Sequence, residues 1–302
     1  PTLPSPSRGE VGVTYYLELL VTGLASGGTY ALFAVGLTMV YGTYRFINFA
    51  HGELIAWGAY GVLLFLMPPF ALALWIAVPL SLILTTGIAL GTERLAFRPL
   101  EKHHPVTVLI ASIGASFVLR SVLHLVFGAD HRSYGLGLDG VVQIGSLRVT
   151  YIQIAMMVAA LVFFAGLYLL LRFTLLGKSM RAVSDNPELA GIFGLPLSQV
   201  RRAVWVLGAV FAAVGGILLG LDSSLDPFMG LSSLIKAFAA VLLGGAGNVF
   251  GALIGGLAIG IFENLGTAFI SPSYKDLIAF AVIIVMLLFR PQGLFAVRGG
   301  VR

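Results

Sequence analysis

The 302-residue sequence contains no cysteine, and Asp, Glu, Lys and Arg together make up only 10% of it. Without cysteine there is no disulfide framework, no thiolate nucleophile and no cysteine metal site. A soluble domain carries about 25% charged residues, so a globule of this length could not cover its surface with polar groups. What is present instead is apolar: 58% of the residues are hydrophobic and the mean hydropathy is +0.99. Several runs approach the roughly 20 apolar residues that a spanning helix needs. The chain reads as an all-α, polytopic transmembrane helical bundle of about 8–10 membrane segments, some of them broken by glycine.

The first residues, PTLPSPSRGE, lack the basic start and continuous apolar core of a signal peptide. Residues 1–14 are expected to form a flexible tail, residues 15–290 one transmembrane domain with a cytoplasmic loop at 172–202, and residues 291–302 a cytoplasmic tail. Apolar runs between charges give nine candidate segments: 15–43, 54–67, 71–92, 106–127, 151–171, 203–221, 231–248, 251–270 and 277–289. The first is too long for one straight span and holds Gly23, Gly27 and Gly28, while the second is short. One of the two is expected to be broken or re-entrant.

Lys and Arg divide unevenly. Arg45, Arg94, Arg98, Lys102, Arg172, Lys178, Arg181, Arg201, Arg202, Arg290, Arg298 and Arg302 fall on one side, against Arg8, Arg132, Arg148 and Lys275 on the other. The positive-inside rule places the C-terminus in the cytoplasm, and nine crossings would put the N-terminus outside. The formal net charge of +5 is then stacked on one membrane face, and no nucleic-acid partner is expected.

The large loop holds SDNPELAGIFGLP. Asn186 suits an N-cap, Pro187 the first helical position, and Glu188 the positive helix end. Gly194 suits a left-handed C-terminal cap, and Pro196 blocks continuation. A helix this short is marginal alone in water. Leu189, Ile192 and Phe193 offer it an apolar face for docking, with a helix packed flat on its own bundle or membrane as the alternative.

Polar groups interrupt the apolar segments at a few positions. Asn48, His51 and Glu53 lie within six positions beside an expected helix break, and Asn248 and Glu263 accompany the glycine-rich segment near the C-terminus. These five are the pathway or gate candidates, with helix capping or interhelical hydrogen bonding as the competing reading. Glu263 and Asn264 follow their helix much as Glu53 follows its own, a faint internal repeat. Lys236 is expected to snorkel outward or to pair with Asp222 or Asp226. Arg120 and His124 share a helix face and are expected to reach the outer interface. The loops Ala129–Thr150 and Asp222–Pro227 are candidate outer landing surfaces.

Three motif-like strings carry no chemistry. RFTLLGKS, Arg172 to Ser179, has Arg where a phosphate-binding loop needs its first glycine, and no strand precedes it. GGAGNVFG, Gly244 to Gly251, lacks the dinucleotide-fingerprint spacing and sits in an apolar run, where close packing and a flexible break explain its glycines. His51-Gly52-Glu53 lacks the cysteines of a zinc deaminase. No catalytic residue, metal site or cofactor is expected.

Several separate strings resemble one family in the right order: GGTYALFAVGLTMVYGTYRFINFAHGE, ERLAFRPL at Glu93 to Leu100, GKSMRAVSDNPELAGIFGL, KAFAAVLLGGAGNVFGALIGGLAIGIFEN, then YKD and RPQGLF. The chain resembles the permease subunits of bacterial branched-chain amino acid ABC importers, a group that includes relatives for urea and short amides. The resemblance implies a multi-pass protein of the inner membrane that is not itself an enzyme. It implies a second, distinct permease subunit, two cytoplasmic ATPases and an extracytoplasmic substrate-binding protein. It also implies that Arg181, Ser184, Asp185, Asn186, Pro187, Glu188, Leu189, Ala190, Gly191 and Gly194 build the helix that couples to the ATPases. A urea or amide permease, and an ATP-independent channel or secondary transporter, are the alternatives.

Overall fold

The computed structural model describes residues 8–100, 103–137, 140–145, 147–290 and 292–295. Lys102, Arg298 and Arg302 of the charge count lie outside the described residues, as do residues 1–7 of the expected tail and all but 292–295 of the C-terminal one.

Apolar chain without water satisfies its backbone groups internally, and helices do this within one segment. The helices are α1 (Arg8–Tyr44), α2 (Ala50–Leu66), α3 (Leu74–Thr92), α4 (Pro105–Phe127), α5 (Tyr151–Phe173), α6 (Leu175–Asp185), α7 (Pro187–Ile192), α8 (Leu197–Asp222), α9 (Met229–Gly244), α10 (Val249–Gly266) and α11 (Lys275–Phe289). A π-helical turn and a 3₁₀ turn extend α3 to Leu100. Between α4 and α5, β1 (Val141–Ile144) pairs antiparallel with β2 (Leu147–Thr150), Val141 opposite Thr150 and Ile144 opposite Leu147. Seven helical stretches are long and apolar enough to cross a membrane, and α2 and α9 are shorter apolar helices.

Each of the nine expected segments contains one helix of the bundle, with three departures. First, α1 begins at Arg8, so residues 8–14 are helical and not a flexible tail. After Pro6 the next proline is Pro68, and nothing in between forbids the helix. Second, α1 is one unbroken helix of 37 residues, about 55 Å long. Its glycines are close-packing sites: a Cβ on Gly23 would lie 2.9 Å from the Ile261 Cα of α10, and one on Gly260 would lie 2.3 Å from the Gly27 Cα. Backbones touch there, as small residues permit in membranes. Third, the break falls between α9 and α10, where Gly245 and Gly247 take φ of +100° and +89°, a conformation natural only to glycine.

Helix α2 is buried from Ala50 to Leu63, the all-round apolar pattern of a core helix. It lies among α3, α4, α8 and α9. Helix α9 starts inside the bundle, beside the first turn of α2, because a Cβ on Gly52 would lie 2.5 Å from the Gly230 carbonyl oxygen. The chain reaches that point from the end of α8 through an extended segment held by the Leu225–Arg132 bridge.

The helix ends gather in two groups. At one end lie Tyr44, Phe97, Phe173 and Trp205, where the Phe97 and Trp205 rings stack at 5.3 Å. At the other, Gln153 caps α5 and donates to Thr22 Oγ1 at 3.1 Å, and Lys275 Nζ donates to Asn264 Oδ1 at 3.0 Å. There Tyr134 donates to the Ala59 carbonyl at 2.9 Å, and burial pushes its hydroxyl pKa above the ordinary tyrosine range. Both α1 and α11, the first and last helices, run from the second end to the first, so the helical part of the chain begins at one end of the bundle and finishes at the other.

Candidate functional site

The turn between α1 and α2 carries the first polar cluster. Asn48 is fully buried and its Oδ1 accepts from the Ala50 N–H at 3.1 Å, a local turn contact just ahead of the Phe49 N-cap of α2. His51 is also fully buried, and its Nε2 lies 3.1 Å from the Phe33 carbonyl of α1. A carbonyl accepts only, so Nε2 carries the proton. A Cβ on Gly36 would stand 3.0 Å from the His51 ring, so the imidazole is a wedge fixing α2 to α1. Asn48 and His51 each make one such structural contact, while Asn48 Nδ2 and His51 Nδ1 are buried without a hydrogen-bond partner.

Glu53 is different. It is 1% exposed and accepts at Oε1 from Arg120 Nε at 3.1 Å and from Arg120 Nη2. Arg120 therefore points inward and does not serve as an outer-interface anchor: helix periodicity fixes its face, but the neighbour on that face is a buried carboxylate. The guanidinium also lies 5.5 Å from the Phe228 ring, the N-cap residue of α9, and the His124 ring packs edge-on to the same phenylalanine.

A second intramembrane cluster joins α1, α9, α10 and α11. Lys236 Nζ donates to Glu263 Oε1 at 2.8 Å and to the Tyr30 hydroxyl at 3.1 Å, and lies 3.2 Å from Asp276. Glu263 is 0% exposed. Lys236 thus pairs with Glu263 and Asp276 instead of Asp222 or Asp226, because it sits on the flank of α9 that faces α10 and α11. The two ion pairs lie on either side of α9. Breaking either by removing one partner would leave a buried charge, at a cost of about 3–5 kcal/mol.

The large loop forms a compact element at the opposite end. Thr174 accepts at Oγ1 from the Gly177 N–H at 3.0 Å and starts α6, and Gly177 packs on the end of α5 with no room for a Cβ. Arg181, Ser184 and Asp185 belong to α6. Asn186 Oδ1 then accepts from the Leu189 N–H at 3.0 Å, with Pro187 first in α7 and Glu188 in its first turn. At the far end Gly194 adopts φ +76°. The Leu195 N–H reaches the Ala190 carbonyl at 3.1 Å and the Gly194 N–H the Gly191 carbonyl at 3.0 Å, which is the Schellman pattern. Ala190 is buried, while Leu189, Ile192 and Phe193 are 49%, 81% and 77% exposed. An apolar trio is therefore held outward on a doubly capped helix.

This element is tied to the bundle. Arg45 Nη2 donates to the Ser184 carbonyl at 2.8 Å, and Ser184 Oγ donates to the Gly42 carbonyl at 3.2 Å. A cavity of about 210 Å³ separates the two elsewhere, lined by Thr38, Gly42, Arg181, Ser184, Asp185 and Asn248 among others. Asn248 caps α10 through the Gly251 N–H at 3.0 Å and donates from Nδ2 to the Phe295 carbonyl at 2.8 Å. Leu294 and Phe295 donate in turn to the last carbonyls of α9, Leu243 at 2.9 Å and Gly244 at 3.2 Å. The structure thus brings Asn248 to the loop element and Glu53 and Glu263 to the flanks of α9. Sequence reasoning notices Arg120 and Lys236 but assigns them other surroundings, and Tyr30 it does not single out; the signal for Arg120 and Lys236 is a charge inside an apolar run.

The family model for the permease component of the branched-chain amino acid transport system matches residues 19–287. The sequence is 34% identical over 295 residues to the high-affinity branched-chain amino acid transport system permease protein BraD of Pseudomonas aeruginosa, covering 93% of this chain and 96% of that protein. It is 32% identical over 293 residues to the corresponding LivH of Escherichia coli K12, covering 93% and 95%. It is 30% identical over 302 residues to the probable branched-chain amino acid transport permease protein LivH of Methanocaldococcus jannaschii, covering 95% and 91%.

Proposed function

The chain belongs to the branched-chain amino acid transport system permease component family, and from that membership we propose that it forms half of the translocation pathway of an ATP-driven importer for leucine, isoleucine and valine. The observation that carries the coupling half of this reading is α7. A six-residue helix with three exposed apolar side chains has no stability of its own, yet here both ends are capped and its base is tied to α1. Such a part transmits force from a partner. One of the two ABC ATPases docking on it would bias the bundle between outward and inward states as the pair closes on ATP. The ATPases supply hydrolysis, and this chain supplies no catalytic group.

Orientation follows from charge. The end that carries α6 and α7 also holds Arg45, Arg94, Arg98, Arg172, Lys178, Arg181, Arg201, Arg202 and Arg290, so it faces the cytoplasm of the bacterial inner membrane. The C-terminus is then cytoplasmic. The opposite end, with the β1–β2 hairpin and the Asp222–Pro227 segment, faces the substrate-binding protein. A second, distinct permease subunit completes the pathway.

Co-isolation of the ATPases tests the docking. Phe193→Asp places a charge where the reading has an apolar contact, and should weaken ATPase association by about tenfold or more with the permease still inserted. Undiminished co-isolation would remove α7 from the interface.

A further inference from the structure

The two intramembrane ion pairs differ in what they leave over. Lys236 has three donors and three oxygen partners, Glu263, Tyr30 and Asp276, so it is saturated and serves as a clamp. Arg120 instead directs both Nε and Nη2 to a single oxygen of Glu53. Glu53 Oε2 is buried with no donor, and no hydrogen bond engages Arg120 Nη1 among the described residues. Glu263 Oε2 is likewise buried without a donor, so the pairs differ at the cation: only the Glu53–Arg120 pair leaves both an anionic acceptor and a cationic donor unused. That is the inverse of the ammonium and carboxylate borne on one carbon by an α-amino acid.

Resting on the importer reading, we propose that Glu53 and Arg120 form a transit site for the zwitterionic head of the substrate, with Oε2 accepting from the ammonium and Nη1 donating to the carboxylate. Depth supports this. Phe49, just before α2, donates to Ser112 Oγ at 3.2 Å, and Ser112 is seven residues into α4, about 10 Å along it. Glu53 lies a further turn into the bundle and Arg120 lies within the 23-residue apolar α4, so the pair is inside the membrane-spanning stretch, where an ionisable group marks a pathway. The start of α9 lies beside the same pair, and its positive helix end favours a carboxylate.

The surroundings suit an aliphatic side chain. The Phe117 and Phe228 rings flank the Arg120 guanidinium at 5.9 and 5.5 Å, and both are more than half exposed. Ser121 and Ser232 are exposed beside them. The pair itself is covered, with Arg120 12% and Glu53 1% exposed, so these rings and hydroxyls form the rim through which a substrate would reach it.

The test uses the assembled importer in detergent, without its binding protein, and measures equilibrium binding of labelled leucine. Competitors are 4-methylpentanoate, which lacks the ammonium, and 3-methylbutylamine, which lacks the carboxylate. Wild type should bind leucine, with both competitors weaker by about tenfold or more, and Glu53→Gln, which keeps the side-chain shape but leaves the Arg120 charge without its counter-ion, should lose about tenfold or more. The pair Glu53→Gln with Arg120→Gln removes both buried charges and so preserves the fold; it should not bind leucine. Binding by Glu53→Gln within about twofold of wild type, competitors equal to leucine, or no leucine binding by a wild type that still imports leucine with its binding protein would each overturn the transit site. Absence of ATP-driven leucine import by wild type would instead overturn the importer reading on which it rests.

Discussion

Glu263 and Glu53 each meet a cation through one oxygen and hold the other buried without a donor, so the charge on each carboxylate depends on a single basic partner. For Glu263 that partner is Lys236 at 2.8 Å. Lys236→Met removes it and leaves a fully buried anion, which should cost about 3–5 kcal/mol and lower the thermal unfolding midpoint in detergent markedly. Adding Glu263→Gln to Lys236→Met removes the stranded charge and should recover most of the loss. A double variant no more stable than Lys236→Met would mean that the cluster stabilises through Tyr30 and Asp276 alone. Glu53 and Glu263 were legible as intramembrane polar groups in the sequence. Their partners were not, because periodicity shows that Arg120 and His124 share a face but is silent on which helix that face meets.

Legibility improves among the elements. The α7 helix was readable residue by residue, since Asn186, Pro187 and Gly194 each have a local conformational role that needs no tertiary information. Helix α6 was not, because LLGKSMRAVSD continues an apolar exit from α5 and only the Thr174 cap separates them. The loop Ala129–Thr150 is expected from the sequence as an outer landing surface without strands, and the β1–β2 hairpin within it goes unseen: its turn glycine, Gly145 at φ +66°, is one of several glycines in that loop, and its strands are four residues each. For α1, glycines suggested a break that the structure places elsewhere. Glycine can mark either a kink or a close approach, and in α1 the partner backbone of α10 decides for close approach. The true break at Gly245 and Gly247 sits in the GGAGNVFG string, whose glycines were read as both packing and flexibility. Asn248 acquires its place only through the Phe295 carbonyl, a contact between residues 47 positions apart.

At the scale of the whole molecule, orientation rests on charge and on the parity of crossings. Both can be tested cleanly because the sequence has no cysteine. With single substitutions His131→Cys and Ile192→Cys, both at exposed positions, a membrane-impermeant maleimide applied to intact spheroplasts should label position 131 and spare position 192, and inverted vesicles should show the reverse. Labelling of both positions from one side would contradict the crossing by α5 that separates them, and the opposite pattern would reverse the orientation. The central claim is that this bundle moves an amino acid when ATPases act on α7. The most direct measurement is ATP-dependent uptake of labelled leucine, with labelled urea in parallel, in vesicles holding this chain with its second permease, ATPases and binding protein, alongside the Phe193→Asp variant. Uptake of leucine that requires ATP and falls at least about tenfold in the variant is the expected result; leucine uptake indifferent to ATP and to Phe193, or uptake of urea alone, would contradict it.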